Sequence, residues 1–301
     1  PTSITVVTNT IITITIIMEK KKTASICLKS HAKINLFLDI LRKREDGYHE
    51  IETIFSKIDL FDSLNFVLTK KDDIQILTNK DFVNTKDNLI YKVAFFIKNK
   101  YKVKDSVAVN LQKNIPVAAG LGGGSSNCAS TILALNELWK LNLSINEMHK
   151  IAAIFGSDIN FFLSGECAIG RGRGEKISVM ESIDLDNIFL VNPGFGISSR
   201  EAYEILDIRV KPVSSIDDII LHKHPKYCYN RLEKKISERY PEIKEIITYM
   251  KNNGATNAIL SGSGATVIGF CPDQQTATDF SRYYSNKKYW NCITKTVRSA
   301  Q

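Results

Sequence analysis

The sequence predicts an α+β protein in two parts that divide near residue 180. Three observations carry this. Segments that alternate apolar and polar residues dominate the first hundred positions and give way to a helical repeat at 88–100. Four glycines crowd into positions 120–124, between an alternating segment at 107–111 and a second helical repeat. Past Glu175 the pattern changes to shorter strands and helices arranged around another glycine turn. The expected units are residues 18–180 and 181–301.

Residues 1–17 are rich in Thr and Ile and contain no basic residue, unlike a secretory signal or a transit peptide. Their apolar stretch is too short and too threonine-rich to span a bilayer. Met18 followed by Glu-Lys-Lys-Lys22 reads as a natural start, so 1–17 is expected to be a non-native leader or a mis-called start.

Residues 24–28 and 33–41 read as strands, with a turn at Glu45-Asp-Gly-Tyr48. Segments 51–58, 63–68 and 74–77 continue the β-rich stretch before the helix at 88–100. After the strand at 107–111 and the glycine loop, 125–141 is a helix. Ser144-Ile-Asn-Glu147 is a capping box that opens another, which closes at Gly156. Ser157-Asp-Ile-Asn160 begins a short third segment, with Asp158 one residue past its N-cap. In the second part 188–191 is a strand, 199–206 a helix start and 241–251 a helix. Segments 258–260 and 265–270 flank the second glycine turn, and a helix at 274–284 and a strand at 290–297 follow.

The bulk numbers exclude several classes. A net charge of +8 suggests nucleic acid, but it comes from 30 lysines against 10 arginines spread over the whole length. The short lysine runs at 20–22, 70–71, 234–235 and 287–288 have no interleaved aromatics and sit in no nucleic-acid module. A solvated surface with a field that favours anionic substrates is the better reading. Cysteines 27, 128, 167, 228, 271 and 292 show no metal or disulfide spacing, and the five histidines do not cluster. A cytoplasmic protein with no metal centre of its own, no nucleic-acid partner and no membrane partner is expected.

The candidate binding loop comprises Pro116, Val117, Ala118, Ala119, Gly120, Leu121, Gly122, Gly123, Gly124, Ser125 and Ser126. Glycines allow positive φ and close approach of a ligand, and a helix that starts from them offers free N–H groups and a positive dipole end. That suits the phosphates of a nucleotide. A Walker loop is ruled out, because no lysine occurs between Lys113 and Lys140. A dinucleotide fingerprint is ruled out too, because the sixth position counted from Gly120 is Ser125. The strand before and the helix after argue against a flexible linker.

The loop resembles the phosphate loop of the GHMP kinases (galactokinase, homoserine, mevalonate and phosphomevalonate kinases), roughly Pro-x-x-x-Gly-Leu-Gly-Ser/Gly-Ser/Gly-Ser. Its Gly-Gly-Gly-Ser-Ser-Asn ending is similar to the branch that phosphorylates 4-diphosphocytidyl-2-C-methylerythritol (cytidine diphosphate methylerythritol). Ser30-His-Ala-Lys-Ile-Asn-Leu36 resembles the first motif of that branch, with His31 in place of a proline. Alternation puts Lys33 and Asn35 on one face of a strand, which suits either a site or an exposed face. Gly156-Ser-Asp-Ile-Asn160 resembles a further segment, with Asn160 where a proline is common. Asp-Gly-Tyr48-His49, Asn192-Pro-Gly194 and Arg171-Gly-Arg-Gly-Glu175 match the branch, the last as a structural hairpin. Ser261-Gly262-Ser-Gly-Ala265 resembles the third kinase motif. Asn230-Arg-Leu-Glu233 departs from the common Asn-Asp-Leu-Glu, and Arg231 is expected to alter a surface contact at most.

The resemblance implies a first domain with the left-handed β-α-β unit of a small-subunit ribosomal protein, a ferredoxin-like second domain, and an active site between them. It implies Asp158 as general base and Lys33 as the cation that orients the hydroxyl and stabilises charge. ATP would lie on 116–126 with Mg2+ on its phosphates and Ser126 as a hydroxyl contact. Tyr48 and His49 would hold cytosine, Tyr203 would cover its other face, and Asn35, Ser261 and Gly262 would complete the substrate side. Two other readings stay open: another GHMP small-molecule kinase of the homoserine or mevalonate type, and a non-catalytic nucleotide- or RNA-binding module. Monomer and homodimer are both compatible with the sequence.

Overall fold

The computed structural model describes residues 2–7, 13–18, 24–70, 73–79, 85–206 and 214–298. Strands β1 (Thr2–Val7) and β2 (Thr13–Met18) pair antiparallel, and β2 continues onto β3 (Ala24–Lys43). Part of the expected leader is thus paired into the sheet, while residues 1 and 8–12 and the lysines 20–22 lie outside the described residues.

The two strands expected at 24–28 and 33–41 are one strand, β3, and those at 51–58 and 63–68 are one strand, β4 (His49–Thr69). Their ladder shifts register between His31 and Ala32, opposite Ile58 and Phe61. The breaks in alternation therefore mark a β-bulge, where the strand bends without ending. Before the bulge β3 buries alternate residues, but from Ala32 to Ile40 it is buried on both faces. The second domain covers the face that would otherwise meet water.

The first sheet continues with β5 (Gln75–Thr78) and β6 (Ser106–Gln112), and β6 pairs with the far half of β4. Helix α1 (Leu89–Lys100) is capped by Asn88, whose side chain accepts from the Ile90 N–H. Helix α2 (Gly123–Leu138) starts two residues earlier than expected, within the glycines, because Gly122 in the left-handed region breaks the preceding chain. It stops before Lys140, which has positive φ. Helix α3 (Ile145–Phe155) has the expected capping box. Asp158 is itself the residue before α4 (Ile159–Ser164), not one past a cap, and its carboxylate makes no capping bond. Apolar faces of α1 and α2 (Ile90, Val93, Ile97; Ala129, Ile132, Leu135) close the core under this sheet. Strands β7 (Cys167–Gly172) and β8 (Lys176–Val179) form the expected hairpin, with β7 on the near half of β4.

The second sheet opens with β9 (Ile188–Asn192). Helices α5 (Ser199–Glu204) and α6 (Ile216–His222) follow, then β10 (Tyr229–Asn230), α7 (Glu233–Arg239) and α8 (Pro241–Asn252). Strands β11 (Asn257–Leu260) and β12 (Val267–Phe270), helix α9 (Gln274–Asn286) and β13 (Trp290–Thr294) complete it. The order β11-β12-β9-β13, all antiparallel, is the ferredoxin-like βαββαβ arrangement. Helices α6 and α7, seven residues each, are too short for periodicity to reveal. Among the described residues no helix is long and apolar enough to cross a membrane.

The sheets change between Val179 and Ile188, yet β10 crosses back to pair parallel with β3. There Arg231 corrects the expectation of a surface contact. It is buried, its N–H donates to the Leu38 carbonyl, and its guanidinium meets the buried Asp39 carboxylate at 2.8 Å. Removing one partner of a buried pair leaves an uncompensated charge, which costs about 3–5 kcal/mol. Arg231→Met should therefore lower unfolding stability in urea by about 3 kcal/mol, and adding Asp39→Leu should recover most of that loss. No loss in the single variant would mean the pair does not hold β10 against β3.

Candidate active site

Lys33 stands at the middle of β3, just past the bulge, where the strand passes beneath the glycine loop. Its backbone N–H donates to the Leu121 carbonyl at 2.9 Å, so strand and loop are held in fixed register. Its ammonium donates to Asn35 Oδ1 at 2.7 Å and sits 3.4 Å from Asp158 Oδ2. Asn35 in turn donates to Thr53 Oγ1, and Thr53 donates to the Phe37 carbonyl. Lys33 and Asn35 are almost wholly buried, whereas the Asp158 side chain is 34% exposed and opens to the cleft. The amine is therefore anchored from behind, and the carboxylate faces whatever enters.

The glycine loop is clasped by the second domain through contacts that exclude side chains. A Cβ on Gly120, whose φ is +75°, would lie 2.2 Å from the Ser261 carbonyl oxygen. Ser261 Oγ donates to the Gly120 carbonyl, and Gly262 packs against the same carbonyl with Lys33 Nζ and Asn35 close by. A Cβ on Gly122 would collide with the Lys33 side chain and Phe162. Helix α2 then starts with no side-chain cap, which leaves its first N–H groups for an anion.

The glycines of α2 differ in direction. Gly123 is buried over Ile115 and Lys113, while Gly124 faces open space beside Leu89. Ser125 lines the cleft, but Ser126 is buried and its hydroxyl accepts from Ser30 at 2.7 Å. The expected metal contact from Ser126 has no support in this orientation; the helical phase turns it inward.

The cleft measures about 1270 Å³ and runs from Asn88 and Leu89, past the glycines, to Tyr48, His49 and Tyr203. Pro116, Val117, Ala118, Ala119 and Leu121 also line it. Tyr203 reaches across from α5 and stacks on His49, centroids 5.2 Å apart and planes at 25°. Burial, and secondarily the Asp158 charge, raises the Tyr203 phenol, so it stays protonated. Burial and then the nearby Lys43 hold the His49 imidazole below its ordinary value of 6.5, so it is neutral at pH 7. Tyr48 is 54% exposed and does not stack on Tyr203; its ring carries the Arg173 guanidinium at 4.4 Å.

Several residues of this site escaped the sequence reading. Lys113, seen there merely as the last lysine before the loop, lies under Gly123 with its ammonium 2.5 Å from the buried Asp62 carboxylate. Asp62 also accepts from the N–H groups of Asn114 and Ile115 and from Asn127 Nδ2. Asn230 donates to the carbonyls of Leu260 and Gly262 at 2.7 and 2.8 Å, and Glu233 accepts from the Leu260 N–H. The Asn-Arg-Leu-Glu segment thus holds the second glycine loop against the first. Departures from the common pattern are accommodated: His31 Nδ1 meets the Ile58 carbonyl at the bulge, and Asn160 donates to the Glu175 carbonyl.

Residues 88–166 match the model of the GHMP kinases N-terminal domain, and residues 219–289 that of the GHMP kinases C-terminal domain. The chain is 38% identical over 281 residues to a 4-diphosphocytidyl-2-C-methyl-D-erythritol kinase of Thermodesulfovibrio yellowstonii, covering 89% of this chain and 97% of that one. It is 39% identical to a protein of the same name from Geobacillus, covering 80% and 86%. Among solved structures, a 4-(cytidine 5'-diphospho)-2C-methyl-D-erythritol kinase superposes with a TM-score of 0.77 at 27% identity, covering 90% of this chain and 99% of that one.

The two directions of the glycines can be tested separately. Gly124→Val should weaken ATP binding at least tenfold in calorimetry with little change in stability, because the branched side chain enters open cleft. Gly120→Ala meets both a backbone oxygen and an unfavourable φ, so it should cost about 2 kcal/mol of stability or more. Unaltered ATP affinity in Gly124→Val would remove the phosphates from the α2 N-terminus.

Proposed function

The chain belongs to the GHMP kinase family, and within it to the 4-diphosphocytidyl-2-C-methyl-D-erythritol kinases, and from that premise we propose how its residues share the reaction. ATP gives its γ-phosphoryl group to the 2-hydroxyl of 4-diphosphocytidyl-2-C-methyl-D-erythritol, a step toward isoprenoid precursors that does not pass through mevalonate. The observation that carries the assignment is the Lys33–Asp158 pair at 3.4 Å, set where the two glycine loops meet.

Asp158 takes the proton of the attacking hydroxyl as its oxygen bonds to the γ-phosphorus, and the bond to the ADP oxygen breaks with the electron pair leaving on ADP. Phosphoryl transfer asks a protein mostly for positioning and for charge opposite the equatorial oxygens. Lys33 supplies that charge. Its amine does not need to reorganise, since Asn35 and Asp158 already hold it, and its backbone bond to Leu121 ties it to the loop that receives the phosphates. Ser261 and Gly262 fix that loop from the second domain.

Magnesium would ride on the ATP phosphates and neutralise charge there. Such a metal usually keeps water ligands and takes one or two carboxylates besides phosphate oxygens. The donor set fits, since Ser125 at the start of α2 lies on the cleft wall and would offer its hydroxyl to such a metal, while Asp158 is left for the proton. Cytosine would be taken by Tyr48, His49 and Tyr203, the neutral His49 offering both a donor and an acceptor to the base edge. All six cysteines are free, which supports a reducing, cytoplasmic setting.

A coupled assay with the cytidylylated acceptor against homoserine and mevalonate tests the substrate. Turnover with the first alone is expected, and turnover with either of the others would overturn the assignment. Asp158→Asn should lower kcat by ~10²–10⁴-fold, the usual contribution of a general base, while both substrates still bind. Lys33→Met should act similarly, and the double variant should lose less than the product of the two factors. The acceptor KM should be flat from pH 8 to 6.5 and rise below that, because protonating His49 removes its acceptor nitrogen. The sign follows from the lowered pKa: the neutral, binding form persists to lower pH than for an ordinary histidine.

A further inference from the structure

The acceptor assigned above has a diphosphate in its middle, between the cytidine and the erythritol that is phosphorylated. We propose that Arg173, at the tip of the β7–β8 hairpin, binds that diphosphate and makes the site selective for acceptors joined to a nucleoside through one. The proposal rests on the reading of Tyr48 and His49 as the nucleobase site and of Asp158 as the base.

The hairpin tip spans the two ends of the acceptor. The Arg173 guanidinium lies 4.4 Å from the centre of the Tyr48 ring. The next residue, Gly174, packs beside the base: a Cβ there would stand 3.6 Å from Asp158 Oδ1. A molecule with its base on Tyr48 and its hydroxyl at Asp158 must carry its middle past residue 173, which lines the cleft.

Arg173 is also a cation without a carboxylate bonded to it. Its neighbours on the same surface are committed: Arg171 to Glu52 at 2.8 Å, Arg44 to Glu50 at 2.7 Å and Asp46 at 3.1 Å. Asp46 additionally accepts the Tyr48 N–H. Among the described residues no carboxylate comes within 4 Å of the Arg173 guanidinium, which rests on the Tyr48 ring and acts on Asp46 only through its charge at longer range. Lys43 and Arg200 line the same cleft but are exposed, and neither stacks on Tyr48.

The hairpin tip is held in place. The Arg173 N–H donates to Glu175 Oε2 at 2.6 Å, and the Glu175 carbonyl accepts from Asn160, two residues past Asp158. Gly172, at φ +73°, lies against the Glu175 carboxylate, where no side chain would fit. The backbone is thus fixed relative to Asp158, while the side chain rests half-buried on an aromatic face. A planar guanidinium can stay stacked and still offer two parallel N–H groups to a diphosphate, which a lysine cannot do.

The test compares the intact chain with Arg173→Gln and Arg173→Lys, measuring acceptor KM, ATP KM and kcat, with cytidine and CDP as competitors of the acceptor. Hydrogen bonds to charged groups support a change of roughly 10- to 100-fold. Arg173→Gln should raise the acceptor KM and the Ki of CDP by that factor, and leave the Ki of cytidine, the ATP KM and the saturated kcat within about twofold. Arg173→Lys should recover part of the loss, and added salt should weaken CDP in the wild type more than in Arg173→Gln. An unchanged Ki for CDP in Arg173→Gln would overturn the proposal while leaving the substrate assignment standing. Equal weakening of cytidine and CDP would overturn it in favour of a prop for the Tyr48 ring. A wild type inhibited by neither would overturn the nucleobase site, and this assignment with it.

Discussion

Backbone meets backbone where the two domains join, and the rest of the site depends on that contact. The Gly120 position leaves no room for a single carbon beside the Ser261 carbonyl, and Gly262 closes on the Gly120 carbonyl from the other side. Van der Waals contact at this distance requires glycine on the first-domain loop and an oriented peptide on the second. Within the first domain the Lys33 N–H donates to the Leu121 carbonyl, which holds β3 and the glycine loop in register. Asn230 and Glu233 sustain the arrangement from behind by bonding the carbonyls and N–H around Leu260.

Strand β3 bears the second constraint. Past its bulge it is buried on both faces, yet it carries Lys33 and Asn35 there. A buried ammonium is tolerated when it is paired and hydrogen-bonded. The chain Lys33–Asn35–Thr53–Phe37 carbonyl satisfies each group in turn, with Asp158 as the counter-charge. Such a network holds its members in one geometry, which is what transfer between two bound substrates needs. A second buried pair, Lys113 with Asp62, fixes the other end of the same loop, and burial lowers the Lys113 pKa against the opposing pull of Asp62.

The two halves of the cleft are built differently. The end proposed for the nucleotide is mostly backbone: glycines, an uncapped helix start, and Ser125. The end proposed for the acceptor is mostly side chains, with Tyr48 and His49 from the turn into β4, Tyr203 from α5, Arg173 from the β7–β8 hairpin and Asp158 from just before α4. Phosphates look alike in every nucleotide, so N–H groups and a helix dipole suffice for them. A cytidylylated polyol must be distinguished from other alcohols, and specificity of that kind needs shaped and charged groups.

Much of this was legible in the chain alone. The α+β class, the Ser144–Glu147 capping box and the glycine loop were readable because each depends on residues adjacent in sequence, whereas the ferredoxin-like second part came only through the resemblance. Lys33, Asn35 and Asp158 were readable as a set through resemblance, since periodicity by itself left an exposed strand face and a helix cap as alternatives. Other features were not readable. The continuity of β3 and β4 through their bulge depends on cross-strand pairing, and the burial of Arg231 depends on Asp39 standing opposite it. That Gly124 faces the cleft while Gly123 and Ser126 face inward is a matter of helical phase, set by where Gly122 turns left-handed. Arg173 looked like part of a plain hairpin, and its place between Tyr48 and Asp158 arises from three elements folding together. Local conformational preference writes itself into neighbouring residues, whereas the meeting of distant side chains is decided by packing, which only the tertiary structure holds.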